Sequence, residues 1–156
     1  MRSSKPEFEI DKSTNAELRV ALIYAEWNKE YNLEMLESAQ EELIKQGVSL
    51  SSIKTFKVPG AFELPLMALK VADTDNFDAI IVFATVIKGA TIHFELVAGE
   101  ATRGIMSASL DTEIPIINGI LACNTEEQAK ERASRSQEDK GKELAQSCLQ
   151  FCAELP

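Results

Sequence analysis

The sequence predicts an α/β domain with three layers, in which helices cover both faces of a four-stranded parallel sheet. Short segments of apolar, often β-branched residues alternate along the chain with longer segments whose apolar residues recur at helical spacing. The short segments are apolar throughout rather than at every second position, which is typical of strands buried on both faces. Because parallel strands need helical crossovers between them, this alternation indicates helices on both sides of one sheet.

The elements follow one another in a regular order. The first strand is the run R-V-A-L-I-Y-A, which follows Leu18 and stops before the polar residues at Glu26. A helix over residues 32–46 comes next, and Gly47 stands where a glycine often ends a helix. The whole pattern predicts a flavodoxin-like three-layer α/β/α sandwich. Its remaining elements are predicted as strands over residues 53–58, 77–84 and 115–121 and as helices over residues 61–71, 92–110, 125–133 and 141–153.

Length and composition indicate one folded domain. The chain has 156 residues, of which 45% are hydrophobic and 26% are charged, and this suffices for an ordinary hydrophobic core. A formal net charge of -9 argues against a nucleic-acid-binding surface, which needs clustered lysine and arginine. The N-terminal segment has no apolar stretch, so we expect neither a secretory signal nor a membrane span, and a cytoplasmic location is the default.

Residues 1–16 lack the alternating pattern of the rest of the chain. We interpret them as a tail that is either mobile or added as a strand to a neighbouring subunit's sheet, and residues 17–156 as the folded domain. The three cysteines, Cys123, Cys148 and Cys152, form no CxxC motif. We expect them to be buried reduced thiols, with a redox or metal role as the less favoured alternative, and we expect no metal site.

Chemistry is expected in the loops that follow the strands, because open parallel sheets bind ligands beyond the carboxyl ends of their strands. Four such loops occur, and we treat each as a candidate part of one site. They contain Trp27 and Asn28 after the first strand, P-G-A-F-E at residues 59–63 after the second, I-K-G-A-T-I-H at residues 87–93 after the third, and C-N-T at residues 123–125 after the fourth.

The third loop is the most informative. Gly89, Ala90 and Thr91 are small residues at a helix start, where open backbone N–H groups and the helix dipole suit a phosphate. A tight turn with Thr91 as N-cap is the equally open alternative. His93, the only histidine, falls in the first helical turn, where the dipole favours a neutral imidazole that can act as a base.

Other candidate residues admit two interpretations each. Glu63 and Glu95 are either site carboxylates or solvated carboxylates in a first helical turn. Trp27, the only tryptophan, either stacks on a flat ligand or anchors the surface. Arg132 and Lys140 flank a polar segment and are expected to be solvated at helix ends. The residues alone thus predict a small-molecule enzyme with a phosphate-bearing substrate and an acid–base histidine.

The chain resembles the 6,7-dimethyl-8-ribityllumazine synthase family over nearly everything from Leu18 to Ala153, and five motifs carry the resemblance. They are R-V-A-L-I-Y-A-E-W-N, V-P-G-A-F-E-L-P, I-K-G-A-T-I-H-F-E, I-P-I-I-N-G-I-L and N-T-E-E-Q-A-K-E-R-A, in this order. The resemblance implies a transferase of riboflavin biosynthesis. Such an enzyme condenses 5-amino-6-(D-ribitylamino)uracil with 3,4-dihydroxy-2-butanone 4-phosphate, and releases phosphate and water without a metal or cofactor. The less favoured relatives are the archaeal-type riboflavin synthase and a non-catalytic flavin- or lumazine-binding shell protein.

The resemblance also implies roles for individual residues. His93 would transfer protons, Arg132 would bind the phosphate, and Lys140 would lie near the incoming substrate. Asn118 stands where many members have a phenylalanine that covers the aromatic substrate. The remaining implied contacts are Trp27 and Asn28 at the pyrimidine ring, Ala61, Phe62 and Glu63 at the ribityl chain, Val86 and Ile87 at the uracil, and Gly89, Ala90 and Thr91 at the phosphate.

The family resemblance further implies a homo-oligomer. Members form pentamers with active sites between subunits, so Arg132 would come from the neighbouring chain, and some stack pentamers into decamers or an icosahedral capsid. Small residues along the predicted third long helix suit close helix packing within or between subunits. They are Ala98, Ala101, Gly104 and Ala108.

Overall fold

A computed structural model describes residues 4–156, and its elements follow the predicted order. The four strands are β1 (Val20–Ala25), β2 (Ile53–Val58), β3 (Ala79–Ile87) and β4 (Ile116–Cys123). The α-helices of this part of the chain are α1 (Lys29–Lys45), α2 (Leu64–Ala72), α3 (His93–Thr112), α4 (Glu126–Ala133) and α5 (Lys140–Glu154). The predicted three-layer α/β/α architecture is confirmed.

Element boundaries differ from the predicted ones for local reasons. Strand β3 ends three residues later than expected because its last residues pair with the end of β4, up to Ile87 opposite Cys123. Helix α1 begins at Lys29, earlier than expected, since Asn28 takes a left-handed backbone conformation, φ 57°, and turns the chain directly into the helix. The predicted helix over residues 61–71 opens as a 3-10 turn, Ala61–Glu63, and becomes α-helical only afterwards.

The strand order is β2-β1-β3-β4, and all pairings are parallel. Helices α1, α4 and α5 bury apolar residues against one face of the sheet, and α2 and α3 bury theirs against the other. The connections that leave β1 and β3 therefore run to opposite faces. A crevice opens between the carboxyl ends of two neighbouring strands at such a point.

Three glycines stand where the chain turns sharply or two helices approach closely, and the sequence pattern anticipates two of them, Gly47 and Gly104. Gly47 follows the end of α1 with φ 105°, the left-handed conformation that a glycine after a helix provides. A Cβ atom at Gly104 would lie 2.6 Å from Cγ of Pro65, so α3 packs tightly on α2. A Cβ atom at Gly141 would lie 2.1 Å from the carbonyl oxygen of Met35, so α5 also packs tightly on α1. Ala98, Ala101 and Ala108 are buried beside Gly104, and the predicted small-residue packing is confirmed within the chain.

The segment before β1 forms no strand within residues 4–16. Ile10 packs against the core beside α1, and the buried side chain of Asn15 donates a hydrogen bond of 2.8 Å to the carbonyl oxygen of Gln46. Lys5 lies 3.6 Å from a carboxylate oxygen of Glu143. Pairing of this segment with a neighbouring sheet remains a prediction, and residues 1–3 of the predicted tail lie outside the described residues.

All three cysteines are free thiols. Cys123 and Cys148 are buried, as predicted, whereas Cys152 is half-buried. Burial raises the pKa of the Cys123 thiol, and a hydrogen bond with Cys152 together with burial raises the pKa of Cys148. None of the helices within residues 4–156 is long and apolar enough to cross a membrane.

Candidate active site

A cavity of about 670 Å³ opens at the carboxyl ends of β1 and β3, between the 3-10 turn and the beginning of α3. It is the crevice expected between β1 and β3, whose outgoing connections run to opposite faces of the sheet. Eight of the residues that the sequence predicted for the site line it together, namely Trp27, Asn28, Ala61, Phe62, Glu63, Val86, Ile87 and His93.

The loop after β1 presents the tryptophan ring. The backbone N–H of Trp27 donates a 3.1 Å hydrogen bond to the carbonyl oxygen of Pro59, and that of Glu26 donates one of 2.8 Å to Val58. These bonds continue the pairing of β1 with β2 past the ends of both strands. The Trp27 side chain is 73% exposed, and a Cβ atom at Gly60 would lie 3.3 Å from its Cδ1 atom. The ring therefore presents an open face at the cavity, as stacking on a flat ligand requires.

The loop after β2 supplies an aromatic side chain and a carboxylate. Glu63 accepts a 2.9 Å hydrogen bond from the backbone N–H of Gly60, so its carboxylate closes the 3-10 turn as well as lining the cavity. Phe62, at the centre of this turn, is 61% exposed at the cavity wall. The two aromatic rings, Trp27 and Phe62, thus come from neighbouring strand ends.

The loop between β3 and α3 differs in part from the prediction. Helix α3 begins at His93 with Ile92 as its N-cap, so Thr91 is not the N-cap, although its hydroxyl accepts a 3.3 Å hydrogen bond from the N–H of His93. His93 is exposed and lines the cavity. Gly89, Ala90 and Thr91 are exposed on the loop that joins two lining residues, Ile87 and His93, but do not line the cavity themselves.

One ion pair and one hydrogen bond, both made by Lys88, hold that loop in place. Lys88 lies 3.5 Å from Glu95, one turn into α3, and its backbone N–H donates a 2.9 Å hydrogen bond to the carbonyl oxygen of Cys123. Glu95 therefore acts as the ion-pair partner of Lys88 and does not line the cavity.

Three predicted site residues lie away from the cavity of their own chain. Asn118 is exposed on the edge strand β4, where its Oδ1 atom accepts a 3.0 Å hydrogen bond from the N–H of Ile120. Lys140 begins α5 and pairs with Glu143 at 2.7 Å. Arg132 is exposed in the last turn of α4. Helices α4 and α5 cover the face opposite α2 and α3, so a single chain does not bring their cations to the cavity.

Arg132 differs from the other arginines that the structure describes. Arg19, Arg103 and Arg135 each form an ion pair with a carboxylate of the same chain. Arg132 forms none with any described residue and stands in solvent. A guanidinium without a carboxylate partner is available to bind an anion from another molecule.

The loop after β4 serves a different purpose from the one predicted. Thr125 caps α4 by accepting a 3.2 Å hydrogen bond from the N–H of Gln128. The side chain of Gln128 in turn accepts a 2.8 Å bond from the N–H of Asn124. These polar groups are occupied in capping the helix, and this loop contributes no lining residue to the cavity.

Sequence reasoning missed three lining residues, Thr85, Leu96 and Val97, whereas Gly60 belongs to the candidate loop over residues 59–63. Leu96 and Val97 lie three and four positions after His93, which places them on the same helical face. Thr85 is a hydroxyl residue within an otherwise apolar strand. The helical spacing from His93 and the hydroxyl residue in an apolar strand are both features of the sequence that could have indicated these residues.

The fold and this cavity define a class of protein, that of doubly wound α/β domains that bind a small molecule at the carboxyl edge of a parallel sheet. Comparisons with known proteins identify the member of that class. The family model of 6,7-dimethyl-8-ribityllumazine synthase matches residues 17–155. A 6,7-dimethyl-8-ribityllumazine synthase from Nitrosospira multiformis is 41% identical over 144 residues, which cover 92% of this chain and 88% of the relative. The chain therefore belongs to the 6,7-dimethyl-8-ribityllumazine synthase family.

Proposed function

We propose that this protein catalyses the condensation of 5-amino-6-(D-ribitylamino)uracil with 3,4-dihydroxy-2-butanone 4-phosphate to form 6,7-dimethyl-8-ribityllumazine. The observation that carries the proposal is the cavity in which Trp27, Phe62 and His93 meet. It combines aromatic surface for a pyrimidine with a titratable group for proton transfer. Membership of the family supports the same reaction.

The reaction asks for proton transfer at several steps. An amine attacks a ketone and releases water, phosphate is then eliminated, and closure of the ring by the second nitrogen releases water again. His93, exposed at the first residue of α3 and lining the cavity, carries an imidazole, a group that can both accept and donate a proton. We assign it this acid–base role.

Substrate contacts are assigned to the rest of the cavity. Trp27 stacks on the pyrimidine, and Asn28 lies beside it. Val86 and Ile87, half-buried at the carboxyl end of β3, offer backbone groups to the uracil edge. The ribityl chain runs along Ala61, Phe62 and Glu63.

The phosphate site is assigned to two subunits. Gly89, Ala90 and Thr91 form an exposed loop at a helix start, which offers backbone N–H groups to an anion. Arg132 supplies the cation from a neighbouring subunit, and Lys140 lies near the same substrate. The absence of an ion pair at Arg132 within residues 4–156 supports this assignment, since a free guanidinium suits bidentate phosphate binding.

A homo-oligomer, a pentamer or a multiple of pentamers, is part of the proposal. Helix α3 carries large apolar side chains that solvent reaches in the single chain, among them Met106 at 62% and Leu110 at 70% exposure, and such a surface calls for a partner. Strand β2 has an outer edge without a strand partner among the described residues, which suits addition of a neighbour's N-terminal segment. We assign the enzyme to the cytoplasm.

The test is direct turnover. The purified protein is incubated with both substrates, and the lumazine product is followed by its absorbance and fluorescence. Product formation above the uncatalysed rate is expected. Binding of lumazine or flavin without turnover would instead favour a non-catalytic shell protein, for which the absence of an aromatic ring at Asn118 is the supporting observation.

A further inference from the structure

Two buried polar side chains, Asn32 and Thr85, lie beneath the loop that carries Trp27. Asn32 belongs to the first turn of α1 and is 0% exposed, and Thr85 lies near the carboxyl end of β3 and is 3% exposed. Burial of an amide and a hydroxyl in an apolar core costs free energy unless both are hydrogen-bonded. Their hydrogen bonds indicate what these two residues hold together.

Both the nitrogen and the oxygen of the Asn32 side-chain amide form hydrogen bonds. Its Nδ2 atom donates 2.7 Å and 2.8 Å hydrogen bonds to the carbonyl oxygens of Ala25 and Trp27, and its Oδ1 atom accepts a 2.8 Å bond from the hydroxyl of Thr85. Both amide protons are therefore in use, and the hydroxyl of Thr85 fixes which end of the amide faces the loop.

The same threonine holds the loop a second time through its backbone. Asn28 donates a 2.7 Å hydrogen bond from Nδ2 to the carbonyl oxygen of Thr85. The residues on either side of the Trp27–Asn28 peptide are thus each bound to β3, one through Asn32 and one directly. The Trp27 ring itself is 73% exposed, so contacts of the loop backbone rather than core packing hold it at the cavity.

We propose that Asn32 is a positioning residue, oriented by Thr85, that holds Trp27 and Asn28 in the place where they receive the pyrimidine substrate. This inference rests on the proposed function, in which Trp27 stacks on the pyrimidine. Preorganisation of the loop lowers the ordering cost of binding. Its loss is therefore expected to weaken the aromatic substrate more than the phosphate-bearing one.

The chain offers a matched control for this role. Asn15 is likewise a buried asparagine, 4% exposed, and donates from Nδ2 to the carbonyl oxygen of Gln46 at 2.8 Å. It lies beside the end of α1 and not at the cavity. An Asn15→Asp change removes a buried amide donor without touching the Trp27 loop, and so reports the purely structural cost of such a change.

The experiment compares Asn32→Asp and Thr85→Val with wild type, Asn15→Asp and the conservative Thr85→Ser. Trp27 is the only tryptophan, so its fluorescence anisotropy and its quenching by acrylamide report this loop alone in the ligand-free protein. Steady-state kinetics give the KM of each substrate. Thr85→Val removes a single hydroxyl and serves if Asn32→Asp does not fold.

We expect Asn32→Asp and Thr85→Val to make Trp27 more mobile and to raise the KM for the aminouracil about tenfold, with the KM for the butanone phosphate within about twofold of wild type. Thr85→Ser restores both properties, and Asn15→Asp leaves both unchanged. Fluorescence and aminouracil KM values that change no more in Thr85→Val than in Asn15→Asp would overturn the proposal. An inactive wild type would contradict the proposed function instead, and the ligand-free fluorescence would still decide whether Asn32 holds the loop.

Discussion

His93 and Arg132 are the two residues on which the proposed chemistry depends, and they stand in different environments. His93 lines the cavity at the first residue of α3, and Arg132 is exposed in the last turn of α4 and does not line the cavity of its own chain. Truncation of each residue therefore tests a different part of the proposal, proton transfer in one case and phosphate binding in the other.

Loss of the imidazole is expected to slow the chemical step. His93→Ala should lower kcat by about 10²- to 10⁴-fold, because a positioned general acid–base group contributes about that much. Because His93 is exposed in the single chain, the fold of the subunit should be unaffected. Circular dichroism checks the fold, and the measured mass checks that the assembly is retained. A variant with wild-type kcat would remove His93 from the mechanism.

Loss of the guanidinium is expected to weaken one substrate only. Arg132→Ala should raise the KM for the butanone phosphate about tenfold or more, since a charge-assisted bidentate contact contributes roughly 1.5–3 kcal/mol. Lys130→Ala is the matched control, because Lys130 is also an exposed cation on α4. An equal effect of both changes would indicate general electrostatic attraction rather than a specific site.

Asn118 tests the proposed contribution of β4 to the pyrimidine site. A phenylalanine at this exposed position should lower the KM for the aminouracil by about two- to tenfold, because an aromatic pair contributes roughly 0.5–1.5 kcal/mol beyond burial of its area. Asn118→Leu is the control for apolarity alone. An unchanged KM in Asn118→Phe would mean that Asn118 does not face a pyrimidine ring.

At the scale of elements, an ion pair joins the beginning of β1 to that of β3. The guanidinium of Arg19 donates hydrogen bonds of 3.2 Å and 3.0 Å to the two carboxylate oxygens of Asp78, and the backbone N–H of Arg19 donates a third of 2.9 Å. These bonds hold the pKa of the Asp78 carboxyl below its ordinary value. The pair lies at the amino ends of the strands, away from the cavity, so it concerns stability rather than catalysis.

The pH dependence of this contribution follows from the direction of the shift. A carboxyl whose pKa is lower in the folded chain stabilises the fold above its unfolded pKa, and that stability disappears as the pH falls through the folded value. Asp78→Asn should therefore lower the urea midpoint at pH 7, and this loss should shrink steadily as the pH falls below the ordinary carboxyl pKa of about 3.9. Urea titrations of both proteins at a series of decreasing pH values measure this, and a loss that stays constant with pH would contradict the ionic origin.

At the scale of the whole molecule, the proposed active site belongs to two chains. His93 begins α3 on one face of the sheet, and Arg132, which has no ion pair within residues 4–156, lies on α4 against the other face and does not line the cavity. The site is complete only if a neighbouring subunit presents its α4 to this cavity. Assembly and activity are then inseparable.

Mixed assemblies test the shared site. At a butanone phosphate concentration well below its KM, His93→Ala and Arg132→Ala subunits should each show about a tenth of wild-type activity or less. When the two are unfolded and reassembled together in equal amounts, activity should rise to about a quarter of wild type, since that share of heterologous interfaces joins an intact His93 to an intact Arg132. Each variant refolded alone is the control. Activity in the mixture that equals the mean of the two variants would mean that both residues serve the same chain's site.

The periodicity of the sequence by itself determined the elements of this protein and their order. Apolar runs and helical spacing are local properties, and they sufficed for the four strands, the helices and the positions of Gly47 and Gly104. The rule that ligands bind beyond strand ends then placed Trp27, Glu63 and His93 in candidate loops, and the motifs by themselves indicated the family.

Only the tertiary structure decided which of the candidate loops share a cavity and which residues support them. The backbone conformation at Ile92 makes that residue, rather than Thr91, the N-cap of α3. The capping role of the fourth loop depends on the side chain of Gln128. The bonds from Asn32 to Trp27 and Thr85 join residues 5 and 53 positions apart. No local pattern encodes such a pairing, because it exists only once β1 and β3 lie side by side.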